Sequence, residues 1–138
     1  MKCLSIRQPW ADLILKGKKK VEIRTWNTKF RGYFLVHASK TIDKAALNTY
    51  AKIHSLNPSE LNQGCIIGYA KLVDVVVYNN KDDFLHDNSR HLSINANKDY
   101  PVYGFVLENV KKIKPIKYKG KLGFFDIPEL RIENIKVI

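Results

Sequence analysis

The chain has 138 residues, room for one domain and hardly two, and is 45% hydrophobic and 11% aromatic, enough for a real core. It contains no run of about 18 apolar residues, which argues against a membrane-spanning helix. The net charge of +11, with a sequence pI near 9.7, fits a polyanionic partner such as RNA, DNA, a nucleotide or an anionic membrane surface, and fits equally a lysine-rich composition with no partner behind it.

Met1-Lys2-Cys3-Leu4-Ser5-Ile6 has neither the apolar stretch nor the cleavage site of a signal peptide. Cys3 and Cys65 stand far apart in apolar contexts with no C-x-x-C spacing, so they are expected to be reduced, buried and small-hydrophobe-like. A cytoplasmic location is the matching expectation.

Leu4 to Ile6 reads as a short opening strand. Gln8-Pro9-Trp10 starts a helix with proline at the first helical position, Trp10, Leu13 and Ile14 recur at helical spacing, and Gly17 suits the residue after the helix end. Residues 20–26 alternate. Val21, Ile23 and Thr25 face one way, and Lys20, Glu22, Arg24 and Trp26 the other. A turn over Asn27 to Gly32 leads into a strand from Tyr33 to Ser39, with Phe34, Val36 and Ala38 opposite Tyr33, Leu35, His37 and Ser39. Asp43 is placed to cap a helix reaching about His54 and burying Ala46, Leu47 and Tyr50.

Gly64 to Tyr78 is the strongest strand signal. Its length calls for a bend, with Gly68 as the candidate. Asn79 to Asp99 is polar with scattered apolar residues and predicts a short helix or a functional flap. Val102 to Val110 reads as a strand. Lys111 to Lys121 carries six lysines around Pro115 and Tyr118 and reads as a solvated hairpin or, alternatively, a phosphate-contacting arm. Gly123 to Ile127 is a last strand, ended by Pro128. Short strands with two main helices predict an α+β domain over 1–138, a small mixed β-barrel with the helices at its edge.

His37, His54, His86 and His91 have no partner at a ligand spacing, so no metal is expected; no dinucleotide, Walker or nucleophile-elbow motif is present, and no cofactor is expected either. The stretch Gly17-x-Lys19-x-x-Glu22-x-Arg24-x-Trp26 stands out. Glu22 and Arg24 share a strand face about 7 Å apart, Lys19 sits at the turn before them, and Trp26 offers a stacking surface beyond. An ordinary polar strand face with ion pairs is the alternative. Arg7 and Gln8, at a strand-to-helix junction, suit a phosphate or a base edge. His37 and Ser39 share a face, and His37 approaches Glu22 if their strands pair. Trp10 reads as packing.

Leu4-Ser5-Ile6-Arg7-Gln8-Pro9-Trp10-Ala11, the Gly17–Trp26 element, Arg31-Gly32, His37-Ala38-Ser39, Gly64-Cys65-Ile66-Ile67-Gly68 and the tail from Pro115 through Tyr118, Gly120 and Gly123 to Phe125 together resemble the ASCH domain, a relative of the PUA RNA-binding fold. The branch resembled has cointegrator and small phage and bacterial members. The resemblance implies a PUA-like β-barrel with a ligand cleft beside the G-x-K-x-x-x-x-R strand; Lys19, Glu22, Arg24 and Trp26 are the expected ligand-binding residues there, and Arg7, Gln8, His37 and Ser39 fit a site more loosely. The resemblance also implies RNA, single-stranded nucleic acid or a nucleotide-like ligand as partner. One bacterial branch resembles N4-acetylcytidine amidohydrolases, with a lysine at the position of Lys19 and a threonine at that of Glu22; another member is described as a ribonuclease. Lys19 and Glu22 would be the catalytic pair of an enzyme. A carboxylate cannot do the job of the attacking hydroxyl without changing the mechanism, although it can act as a general base for water. A protein-interaction domain meeting an acidic partner is a further alternative.

Overall fold

The computed structural model describes residues 1–138. In chain order it contains β1 (Lys2–Gln8), α1 (Trp10–Leu15), β2 (Val21–Arg24), β3 (Gly32–Ile42), α2 (Lys44–Tyr50), β4 (Cys65–Tyr78), α3 (Lys81–His86), α4 (Asn88–His91), β5 (Val102–Lys117) and β6 (Phe124–Asp126). The strands form one six-stranded sheet in the order β2-β5-β4-β3-β1-β6. Only the β1–β3 pair is parallel. The α+β expectation holds.

The barrel does not close. β2 and β6 are the two ends of the sheet order and share no ladder. The physical reason is length: β2 has four residues and pairs only with β5, and β6 has three and pairs only with β1. Side chains bridge the gap instead. Arg24 of β2 donates to the Ser5 carbonyl of β1 at 2.8 Å, and Trp26 meets Phe124 of β6 edge to face at 5.8 Å. The sheet is therefore curled, with a seam of side chains where a closed barrel has hydrogen bonds.

The period-two pattern of β3 explains the two cores. Phe34, Val36 and Ala38 join Trp10, Leu13, Ile14 and Leu15 of α1 in a cluster with Ala70, Leu72 and Phe105. Leu35 points the other way, to Cys3, Ile66, Ile113, Phe125 and Ile127. Both cysteines are free and buried, and burial pushes the Cys3 thiol up to about 12.

α1 begins at Trp10, one residue later than expected, with Pro9 as its cap. Gly17 takes φ +73° and turns the chain toward β2. Asp43 caps α2 as expected, its carboxylate accepting from the Ala46 N–H at 3.1 Å. The helix is regular only to Tyr50, though its hydrogen bonding reaches the N–H of His54.

The lysine run is not a hairpin. β5 continues through it to Lys117 because Ile113 is buried and anchors the strand. Pro115 is accommodated where the β4–β5 register slips between Ile66 and Gly68, a bulge at which a missing N–H is tolerated. The bend expected at Gly68 falls at the same irregularity. A Cβ on Gly68 would meet the Lys111 carbonyl at 2.5 Å and the Leu15 methyls at 2.6 Å, so only glycine lets β5 and α1 approach there. No helix is long and apolar enough to cross a membrane.

Gly68→Ala is therefore expected to destabilise the fold by about 1–3 kcal/mol through overpacking against backbone. Urea denaturation checks this, and a midpoint equal to that of the wild type would contradict the close approach.

Candidate functional site

Lys19 lies in the turn that Gly17 makes possible, and its side chain runs inward rather than into solvent. The residue is 3% exposed. Its Nζ donates to the His91 carbonyl, stands 3.8 Å from Glu22 Oε1, and lies 4.5 Å from the Trp10 ring centroid. That carbonyl is held by a fixed imidazole. His91 is buried, stacked on Phe84 at 4.1 Å, with Nε2–H donating to the Phe84 carbonyl and Nδ1 accepting from the Ser93 N–H. The polar segment 79–99 thus supplies α3, α4 and the last carbonyl that an ammonium can satisfy.

Burial pulls the Lys19 amine down to about 8; Glu22 opposes the shift, and Arg24 and Lys98 add to it. Burial likewise lowers Lys98, with Arg7 repelling its charge.

Glu22 and Arg24 share a face of β2, as their spacing predicts. Arg24 donates from Nε and Nη2 to Glu22 Oε2 at 3.1 and 2.9 Å, and the same Nη2 reaches the Ser5 carbonyl. Glu22 is buried, 6% exposed, and Arg24 is partly so. The face forms part of a cavity of about 490 Å³. Arg7, Trp10 and Asp43 line one side, Trp26 another, and Ser93, Ile94, Asn95 and Lys98 close it from the 79–99 segment.

Arg7, Lys19, Glu22, Arg24 and Trp26 therefore come together. Trp26 is held by the core, edge to face on Phe105 at 5.3 Å and on Phe124, while its remaining surface lines the cavity. Gln8 does not line it. Its buried amide donates to Asp12 Oδ1 and the Asn62 carbonyl and accepts from the Asp12 N–H, which fixes the β1–α1 junction. His37 and Ser39 lie in a second cavity of about 800 Å³. The approach of His37 to Glu22 does not occur, because β2 pairs with β5 and not with β3.

Sequence reasoning misses Trp10, Asp43 and Lys98. Trp10 is a core residue and also the surface under the Lys19 ammonium, and its Nε1–H donates to Asp43 Oδ2 at 3.1 Å. Asp43 was legible as a cap, and the two roles use its two oxygens. Nothing in the spacing of 93–98 marks Lys98, which reaches the site only through the tertiary fold.

A small curled α+β sheet with a basic cleft at its seam defines the class. The chain belongs to the ASCH domain family: the family's model, described as ASCH domain, matches residues 4–117. Human and mouse activating signal cointegrator 1 are each 34% identical over 80 residues, 52% of this chain, and the match spans only 14% of those proteins. Among solved structures, ASCH from Zymomonas mobilis superimposes with a TM-score of 0.65 at 15% identity, covering 93% of this chain and 87% of that one. A mutant of the same protein gives 0.67 at 14% identity, covering 93% and 90%. At such identity the likeness is one of fold.

Two measurements test the electrostatics. The Lys19 side-chain resonance is expected to titrate with a midpoint of about 8 in an NMR pH series. Because the folded state lowers this lysine, the unfolded chain binds more protons between that midpoint and the ordinary 10.5, so the Lys19 contribution to stability rises with pH across that window. Lys19→Met is expected to remove the rise, and a wild type and variant with parallel stability–pH curves there would contradict it.

Proposed function

We propose that this chain binds RNA, or another single-stranded nucleic acid or nucleotide-like ligand, in the cleft beside β2. The observation that carries the reading is the buried Lys19–Glu22 pair, with a partly exposed Arg24 on the same carboxylate, beside a cavity of nucleoside scale. Four cations, Arg7, Lys19, Arg24 and Lys98, face it against two carboxylates, Glu22 and Asp43. Arg7 is half-exposed and only 4.0 Å from Asp43, a loose pair that a phosphate displaces readily. Trp10 and Trp26 give apolar walls for a base. Glu22 Oε1 accepts from an exocyclic amine, and Arg24 holds the carboxylate in place for it. The proposal is of a cytoplasmic protein that needs neither metal nor membrane.

A second reading has one observation in its favour: an amine near 8 donates and accepts protons at working pH. In a hydrolase of an N-acylated nucleoside, Lys19 would hold the developing oxyanion and Glu22 would activate water. Against it, Glu22 Oε2 already accepts twice from Arg24, which leaves one oxygen for a water.

Binding of a fluorescent single-stranded RNA, followed against salt, is expected to weaken by about 0.7 log units per log unit of salt for each phosphate contact. Arg7→Gln is expected to lower affinity and flatten that slope by about 0.7. A wild-type slope near zero sinks the polyanion reading. Incubation with N4-acetylcytidine is expected to release no cytidine; release abolished by both Lys19→Ala and Glu22→Gln would establish the hydrolase.

A further inference from the structure

The second cavity carries a different chemistry from the first. Lys40, Lys117, Lys119 and Lys121 line it, and no carboxylate does. None of the four lysines takes part in an ion pair. Four cations around one opening repel one another, and only an anion or bulk solvent offsets that repulsion.

These lysines do not hang from a loose loop. His37 Nε2–H donates to the Tyr118 carbonyl at 2.7 Å, and the Tyr118 N–H donates to the Gly64 carbonyl. Gly120 lies directly on the Ser5–His37 pair, where a Cβ would meet Ser5 Oγ at 2.5 Å and His37 Cε1 at 2.8 Å. The stem of Lys40 crosses Gly64, where a Cβ would meet its Cε at 3.1 Å. The loop backbone that carries Lys117, Lys119 and Lys121 is tied to the sheet before any ligand arrives, so less backbone ordering entropy opposes binding.

The two cavities also adjoin. Ser5 lines both and is the one residue they share. Its carbonyl accepts from Arg24 on the first side, and its hydroxyl lies 2.9 Å from His37 Nδ1 on the second.

We propose that the second cavity is a phosphodiester-backbone subsite, so that the natural ligand is a single-stranded RNA crossing the Ser5 ridge with one nucleotide in the first cavity and its neighbour's phosphates among Lys117, Lys119 and Lys121. This rests on the reading of the first cavity as a nucleotide site and adds that a free nucleotide fills only half of the interface. It also divides the lysine run: Lys117, Lys119 and Lys121 face ligand, whereas Lys111, Lys112 and Lys114 belong to the exposed part of β5.

The test compares uridine 5′-monophosphate with a uridine octanucleotide on three proteins: the wild type, Lys117→Gln/Lys119→Gln/Lys121→Gln, and a charge-matched control, Lys44→Gln/Lys52→Gln/Lys81→Gln, whose exposed lysines line neither cavity. The cavity variant is expected to lose about tenfold or more in octanucleotide affinity and to flatten the salt slope by about 2, three contacts at about 0.7 each. Its affinity for the monophosphate and the control's affinity for the octanucleotide are expected to stay within about twofold. Equal losses in the cavity variant and the control would overturn the subsite in favour of bulk charge, as would an octanucleotide indifferent to the cavity variant. Failure of the underlying reading looks different: the wild type then binds neither probe.

Discussion

The Arg24 guanidinium is the joint on which sheet and site both depend. One of its nitrogens donates to the Ser5 carbonyl of β1 and to Glu22 Oε2, and a second also reaches that carboxylate. It spans the gap between two strands that share no ladder, giving the Ser5 carbonyl a side-chain donor. The planar fork suits this task, since it presents its donors in fixed directions, whereas a lysine ammonium is a compact point charge on a flexible stem. Because the same group closes the seam and orients Glu22, the shape of the cleft and its charge arrangement are one property of the fold.

Burial of two charged groups and part-burial of a third at this seam is hard to explain as stabilisation. Removing ions from water costs several kcal/mol each, and apolar replacements of similar volume are often neutral or stabilising. The arrangement offsets part of that cost locally. Lys19 gains the His91 carbonyl and the Trp10 face, and Glu22 gains two donors from one guanidinium. The offset is incomplete, as the lowered Lys19 amine records. Local rules broken without local gain are the mark of a functional site. At the second cavity the charges lie at the surface without ion-pair partners.

Part of this was legible in short stretches of the sequence. The alternation over 20–26 put Glu22 and Arg24 on one face, Gly17 marked the turn, and Asp43 marked the cap, because each of these is a matter of neighbouring backbone. What the alternation could not give was the burial of that face. It comes from the 93–98 segment, which is distant in sequence and has no periodicity. The same limit explains His37. Its face on β3 was readable, but which strand lies beside β2 is a question of sheet order, and β5 fills that place. Pro115 misled in the opposite sense, since a proline reads as a strand end unless a bulge absorbs it, and the bulge is a property of the β4–β5 pair.

Glu22 decides how far the family's chemistry carries over. The resemblance implies a hydrolase branch with threonine at this position, where a hydroxyl is free to attack. Here the side chain is bound on one oxygen by Arg24, and its other oxygen faces a buried ammonium. A nucleophile or base must be able to turn toward its substrate, and this carboxylate is fixed by the interaction that closes the sheet. Releasing Glu22 for chemistry would open the contact between β2 and β1. An acceptor that is rigid, buried and twice anchored instead suits recognition, where an immobile hydrogen-bond partner discriminates between ligands that do and do not offer a donor. The interaction that bridges β2 and β1 thus also limits how far the Glu22 carboxylate can move.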